Sequence, residues 1–96
     1  MTSTAAEPSL PPADEALVRA HADALAQLAS RYGVSSLRFA SPGRLVGHVD
    51  DNHDALDVAG FELVARALLG AEIGLFSTAV LSKPNVSPDL VAARPL

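Results

Sequence analysis

Apolar positions recur along the chain in two different periods, and the switches between them mark out the elements. Leu17, His21, Ala24, Leu25, Leu28 and Tyr32 follow one another at steps of three and four, which predicts a helix from Asp14 to Tyr32. Asp14 and Glu15 suit its positive N-terminal end, and Gly33 supplies a left-handed C-terminal cap. The period then changes to two. In the segment VSSLRFA, Leu37 and Phe39 alternate with Ser36 and Arg38, as a half-buried strand does. Ser41-Pro42-Gly43-Arg44 has the composition of a type II turn, so a hairpin leads into a second strand, Leu45 to Asp50. There Leu45, Gly47 and Val49 oppose Val46, His48 and Asp50. Helical spacing returns at Leu56, Ala59, Phe61, Val64, Ala65 and Leu68, up to a capping Gly70. A third strand is predicted at Glu72 to Phe76, with Ser77 as N-cap of a short turn through Thr78, Ala79 and Val80. Ser87, Pro88 and Asp89 form a helix start, and a last short helix runs to about Ala93.

The element order is therefore α-β-β-α-β-α, an α+β fold with a small mixed three-stranded sheet. The hairpin makes the first two strands antiparallel, and the helical crossover makes the second and third parallel. Residues 1–12 combine Ser, Thr, Ala and Glu with three prolines and read as a flexible lead; 13–96 form one domain. The chain is 49% hydrophobic and only 4% aromatic, so its core is small and leaves apolar surface to face a protein partner or a second copy. A net charge of −4 lacks the basic stripe that phosphate backbones require, which argues against direct nucleic-acid binding. Cysteine is absent, which excludes disulfides and thiolate metal sites. With neither a basic, apolar secretion leader nor a membrane-length apolar run, a cytoplasmic protein without a membrane partner is expected.

Candidate chemistry concentrates in Leu37 to Asp57, which holds one serine, two arginines, two histidines and four aspartates. Asp50, Asp51 and Asp54 could bind a divalent metal, with His48 adding a nitrogen ligand. The same residues have a plainer use: Asp51 or Asn52 caps the following helix, while Asp54 and Asp57 favour its positive end. An EF-hand loop is excluded, because its sixth position would be Ala55 and its twelfth Phe61. His48 or His53 with Asp50 or Asp54 would make an acid/base pair, but no nucleophile stands at a recognisable spacing. His48 with the acidic loop would, as a metal site, make a small metal-dependent hydrolase. Ser41 and Arg44 could cradle an anion, or serve as a turn serine and a solvated arginine. His21 falls on the inward face of the first helix, as a boundary histidine.

Tyr32-Gly33-Val34, Leu37-Arg38-Phe39-Ala40-Ser41 with Arg44 three residues on, Leu68-Leu69-Gly70, Ile73-Gly74-Leu75-Phe76, Leu81-Ser82-Lys83-Pro84 and a closing Pro95-Leu96 follow one another from Leu28 to Leu96. In this succession the chain resembles the minimal nucleotidyltransferase (MNT) domains that act as antitoxins beside HEPN-domain toxins in bacteria. The resemblance implies a nucleotidyltransferase-like fold in which Ser41 and Arg44 hold a nucleotide and Asp54 helps to hold magnesium. It also has gaps. Ala40 stands where the family has glycine, and its methyl group would crowd a phosphate on the backbone. Family spacing puts the paired acids at Asn52 and Asp54, and the third acid at Gly74. A second register makes Leu45 to Asp50 the aspartate-bearing strand and deletes the phosphate-binding helix. The expected protein is thus a degenerate, non-catalytic nucleotidyltransferase-like module that binds a protein, antitoxin-like toward a HEPN toxin, and needs no cofactor. The alternative is an active enzyme that uses Ser41, Arg44 and Asp54 with Mg-ATP to modify a partner protein.

Overall fold

The computed structural model of the protein describes residues 10–96. Its elements are α1 (Glu15–Ala20), α2 (Ala22–Arg31), β1 (Val34–Ser41), β2 (Arg44–Val49), α3 (Ala55–Leu69), β3 (Gly74–Ser77), a 3-10 turn (Thr78–Ser82), α4 (Pro88–Val91) and β4 (Arg94–Pro95). The strands form one mixed sheet in the order β3-β2-β1-β4. Antiparallel pairing of β1 with β2 and parallel pairing of β2 with β3 follow from the Pro-Gly turn and the α3 crossover. Gly43 takes the positive φ, 78°, that the turn requires. Three strands were expected; β4 is a fourth, pairing Arg38 with Pro95 and Phe39 with Arg94. Two residues are too few to carry a periodic signal, so only the pairing reveals the strand.

The first helix is not continuous. Its N-cap is Asp14, whose carboxylate accepts from the Leu17 amide at 2.8 Å, but helical geometry lapses at His21. The His21 amide donates to Val18 three residues back, and its Nδ1 lies 3.0 Å from the Leu17 carbonyl oxygen. A tightened turn of this kind bends the chain into two helices. Ahead of α1, the Pro11 carbonyl accepts from the Glu72 amide, and the Ala13 amide donates back to the Glu72 carbonyl. Pro12 therefore bridges in parallel to Glu72, and β3 begins two residues later than expected. Of the lead expected over residues 1–12, residues 1–9 lie outside the described residues.

Strand β1 carries a bulge that alternation does not foresee. Ser35 pairs with His48 and Arg38 with Val46, so three steps on β1 answer two on β2. Ser36, at φ 55°, absorbs the extra residue, and Val34 and Leu37 consequently face the same side. Both faces of the sheet are covered. The larger core joins Val18, Leu25 and Ala29 of α1 and α2 to Phe61, Ala65 and Leu69 of α3 over Val34, Leu37, Phe39, Leu45 and Leu75. On the opposite face Val46 packs with Leu90 and Ala93, flanked by Phe76, Val80 and Val86. Gly47 lies in the sheet's centre, where a Cβ would stand 2.8 Å from Val34 Cγ1.

The free edge of β3 is covered by a side chain rather than a strand. Glu62 of α3 accepts from the Leu75 amide at 2.7 Å, which blunts an edge otherwise open to pairing. The far edge is tied to α1: Arg94 reaches Glu15 at 3.2 Å, and Arg19 donates to the Pro95 carbonyl at 3.0 Å. No helix among the described residues is long and apolar enough to cross a membrane.

Candidate functional site

The tight hairpin turn places Ser41 and Arg44 opposite each other at one end of the sheet, as paired residues flanking Pro42-Gly43. Both converge on a residue that sequence spacing did not single out as a site residue, Asp89 of α4. Ser41 donates its hydroxyl to Asp89 Oδ2 at 2.6 Å, and Arg44 Nη1 lies 3.1 Å from the same oxygen and 3.3 Å from Oδ1. The Ser41 hydrogen bond, aided by the Arg44 charge, outweighs desolvation and holds the Asp89 carboxyl below its ordinary value of 3.8. The Arg44 guanidinium also lies over the Phe76 ring, 4.8 Å from its centroid. These contacts fasten α4 to the hairpin across 48 residues of chain.

Beside this clasp runs a groove of about 380 Å³, bounded by β2 and β3, the 3-10 turn, the following loop and α4. Phe76, Val80, Val86 and Leu90 give it apolar walls, and Arg44 and Lys83 supply its only charges. The Ser77 hydroxyl caps the 3-10 turn, accepting from the Ala79 amide at 3.2 Å. Ser87, expected to cap α4 with its side chain, stands at the N-cap position but makes no side-chain cap bond; its carbonyl receives the Leu90 amide instead.

The acidic loop sits at the other end of β2. Asp50 lies six positions beyond Arg44, and at about 3.3 Å per strand residue their backbones are roughly 20 Å apart. Ser41 and Arg44 therefore do not meet Asp50, Asp51 or Asp54, a separation that the tight hairpin dictates. Each loop acid has local work. Asp54, not Asp51 or Asn52, is the N-cap of α3: its carboxylate accepts from Leu56 and Asp57, and Asp57 answers on the Asp54 amide. That capping box is the main reason the Asp57 carboxyl lies below 3.8, with His53 Nδ1 beside it at 3.1 Å. His53 also lies against Gly33, where a Cβ would fall inside its ring. His48 and Asp50 form a loose, largely exposed pair at 3.8 Å. Among the described residues no three His, Asp or Glu side chains come together to hold a metal ion.

Helix α3 presents a second notable surface. Leu56, Ala59, Val64 and Leu68, counted in its apolar stripe from spacing, are exposed; the buried stripe is Phe61, Ala65 and Leu69. At 100° per residue, Leu56, Ala59, Leu63 and Ala67 lie on the side opposite that stripe. Leu56 is 80% exposed and Leu63 67%. The helix's three charged residues lie outside this strip, Arg66 at its border, and each has a partner: Asp57 in the cap, Glu62 at the Leu75 amide, and Arg66 with Glu72. Glu62 also supplies the acid nearest Gly74, the position at which the family resemblance expects a carboxylate.

Comparison with family models, curated proteins and solved structures finds no significant match to this chain. What the fold and site define is a small α+β domain with a mixed four-stranded sheet, a clasped hairpin and an apolar outer helix face. Asp89 escaped the sequence reading because nothing local marks a partner nearly fifty positions away; the N-cap pattern around it signalled only a helix start.

Proposed function

We propose that this chain is a non-catalytic protein-binding module on a nucleotidyltransferase-like scaffold, antitoxin-like in that it holds a second protein, a HEPN toxin subunit. The observation that carries the reading is the charge-free outer strip of α3, with Leu56 and Leu63 one heptad apart and Ala59 and Ala67 beside them. A surface helix normally spends that side on charged residues; one whose outer side stays apolar gains by being covered. The resemblance to MNT domains supplies the partner class. The spacing of the candidate catalytic groups supports the absence of catalysis, since nucleotidyl transfer needs Ser41 and paired carboxylates around one metal-bound triphosphate, and roughly 20 Å of β2 lies between them.

The test is co-expression with a HEPN-type toxin subunit. The complex should co-purify with the wild type and be weakened at least tenfold by Leu63→Glu, a substitution at an exposed position that leaves the thermal midpoint unchanged. Full binding by L63E overturns the docking face. For the enzymatic alternative, Mg-ATP is titrated against the labelled protein. Saturable amide shifts spanning both Ala40 to Arg44 and Asp50 to Asp54 would overturn the non-catalytic reading.

A further inference from the structure

The groove beside the Ser41–Asp89–Arg44 clasp has the chemistry of a small-molecule site, and it lies on the sheet face away from α3. Its walls, Phe76, Val80, Val86 and Leu90, are apolar, and its charged residues are two cations with no acid among them, in a chain whose net charge is −4. Arg44 is positioned rather than loose. Its guanidinium carbon lies over the Phe76 ring at 4.8 Å, and Asp89 engages Nη1 alone, which leaves further donors of the planar fork unspent. Lys83 has no ion-pair partner among the described residues.

The charge balance selects the anion. Asp89 offsets most of the Arg44 charge, so Arg44, Asp89 and Lys83 together carry a net charge of one positive unit, which suits a monoanion better than a phosphate dianion. A carboxylate also matches the guanidinium fork in geometry. The volume sets the body: 380 Å³ is room for about a dozen water-sized groups at ~30 Å³ each, at the small end of ligand pockets. We propose that the Arg44–Phe76–Lys83 groove binds a small apolar monocarboxylate, such as a medium-chain fatty acid, with its carboxylate between Arg44 and Lys83 and its tail along Phe76, Val80 and Leu90. The site is independent of the α3 docking face, and neither proposal requires the other.

Octanoate, octanol and octyl phosphate are titrated separately against the full-length labelled protein, with amide shifts read throughout the chain. Octanoate should give saturable shifts confined to Arg44, Phe76 to Lys83 and Val86 to Leu90, and should bind at least tenfold more tightly than octanol or octyl phosphate. Lys83→Met, at an exposed side chain with no ion-pair partner, should weaken octanoate about tenfold and leave octanol unchanged. Arg44→Met should weaken it further; because that change also loosens the clasp, K83M is the deciding variant. The proposal is overturned by unchanged octanoate binding in K83M, and equally by any of three further results. These are no saturable octanoate shift up to about 10 mM, equal binding of octanol or tighter binding of octyl phosphate, or octanoate shifts centred on the α2–α3 groove at Leu28, Val64 and Leu68 instead.

Discussion

Asp89 shows how one residue's chemistry is set by neighbours far away in the chain. Its carboxyl is held below 3.8 chiefly by the Ser41 hydroxyl and next by Arg44, so the folded state binds that proton less readily than the unfolded chain. The stabilisation is therefore fully present above the unfolded value and is lost as pH falls through the lower folded one. Asp57, lowered by its capping-box hydrogen bond, acts in the same direction. Urea midpoints measured from pH 6 down to the acid limit should fall for the wild type. They should fall less steeply for Asp89→Asn, which has no carboxylate there to protonate, and the residual slope should contain the Asp57 contribution. A parallel curve for D89N would contradict the clasp. Positive-φ glycines at 33, 43 and 70 were legible in the sequence because the need for glycine there is local. Ser36, at φ 55°, was not, since nothing in its neighbours announces a bulge.

At the scale of elements, α3 separates what a cap does from what a face does. The sequence placed the helix start in the acidic loop, and the structure assigns the cap to Asp54, three residues after Asp51. Asp54→Ala should cost about 1 kcal/mol of stability, the usual loss on deleting an N-cap carboxylate, read as a shift in the denaturation midpoint. Asp51→Ala, at an exposed residue outside the cap, should change it by less than about 0.5 kcal/mol. The helix's existence and its Gly70 terminus were legible from spacing and the glycine. Which stripe faces inward was not, because α3 is apolar nearly all round and periodicity cannot choose between two apolar sides. The long first helix has the converse history: its spacing is regular across His21, and only the tightened turn at that residue divides it.

For the whole molecule, the sheet's two covered faces meet on β2, the strand whose Leu45, Val46 and Gly47 are all buried. Gly47 is where β1 and β3 both press close, with Val34, Leu37 and Leu75 each within 3.3 Å of where a Cβ would stand. Gly47→Ala should therefore destabilise the fold by about 1–3 kcal/mol through overpacking, measured by denaturant unfolding at neutral pH. Loss of less than half that amount would mean the strands yield easily at the centre. The sequence by itself determined the α+β class, the antiparallel hairpin, the parallel crossover and most of the turns, because each rests on periods or residue types within a few positions of one another. Only the tertiary structure decided the fourth strand, the meeting of Ser41 and Arg44 with Asp89, the distance that keeps both from the acidic loop, and the outward strip of α3. Those depend on which distant segments the sheet brings together, and a pattern of near neighbours contains no information about that.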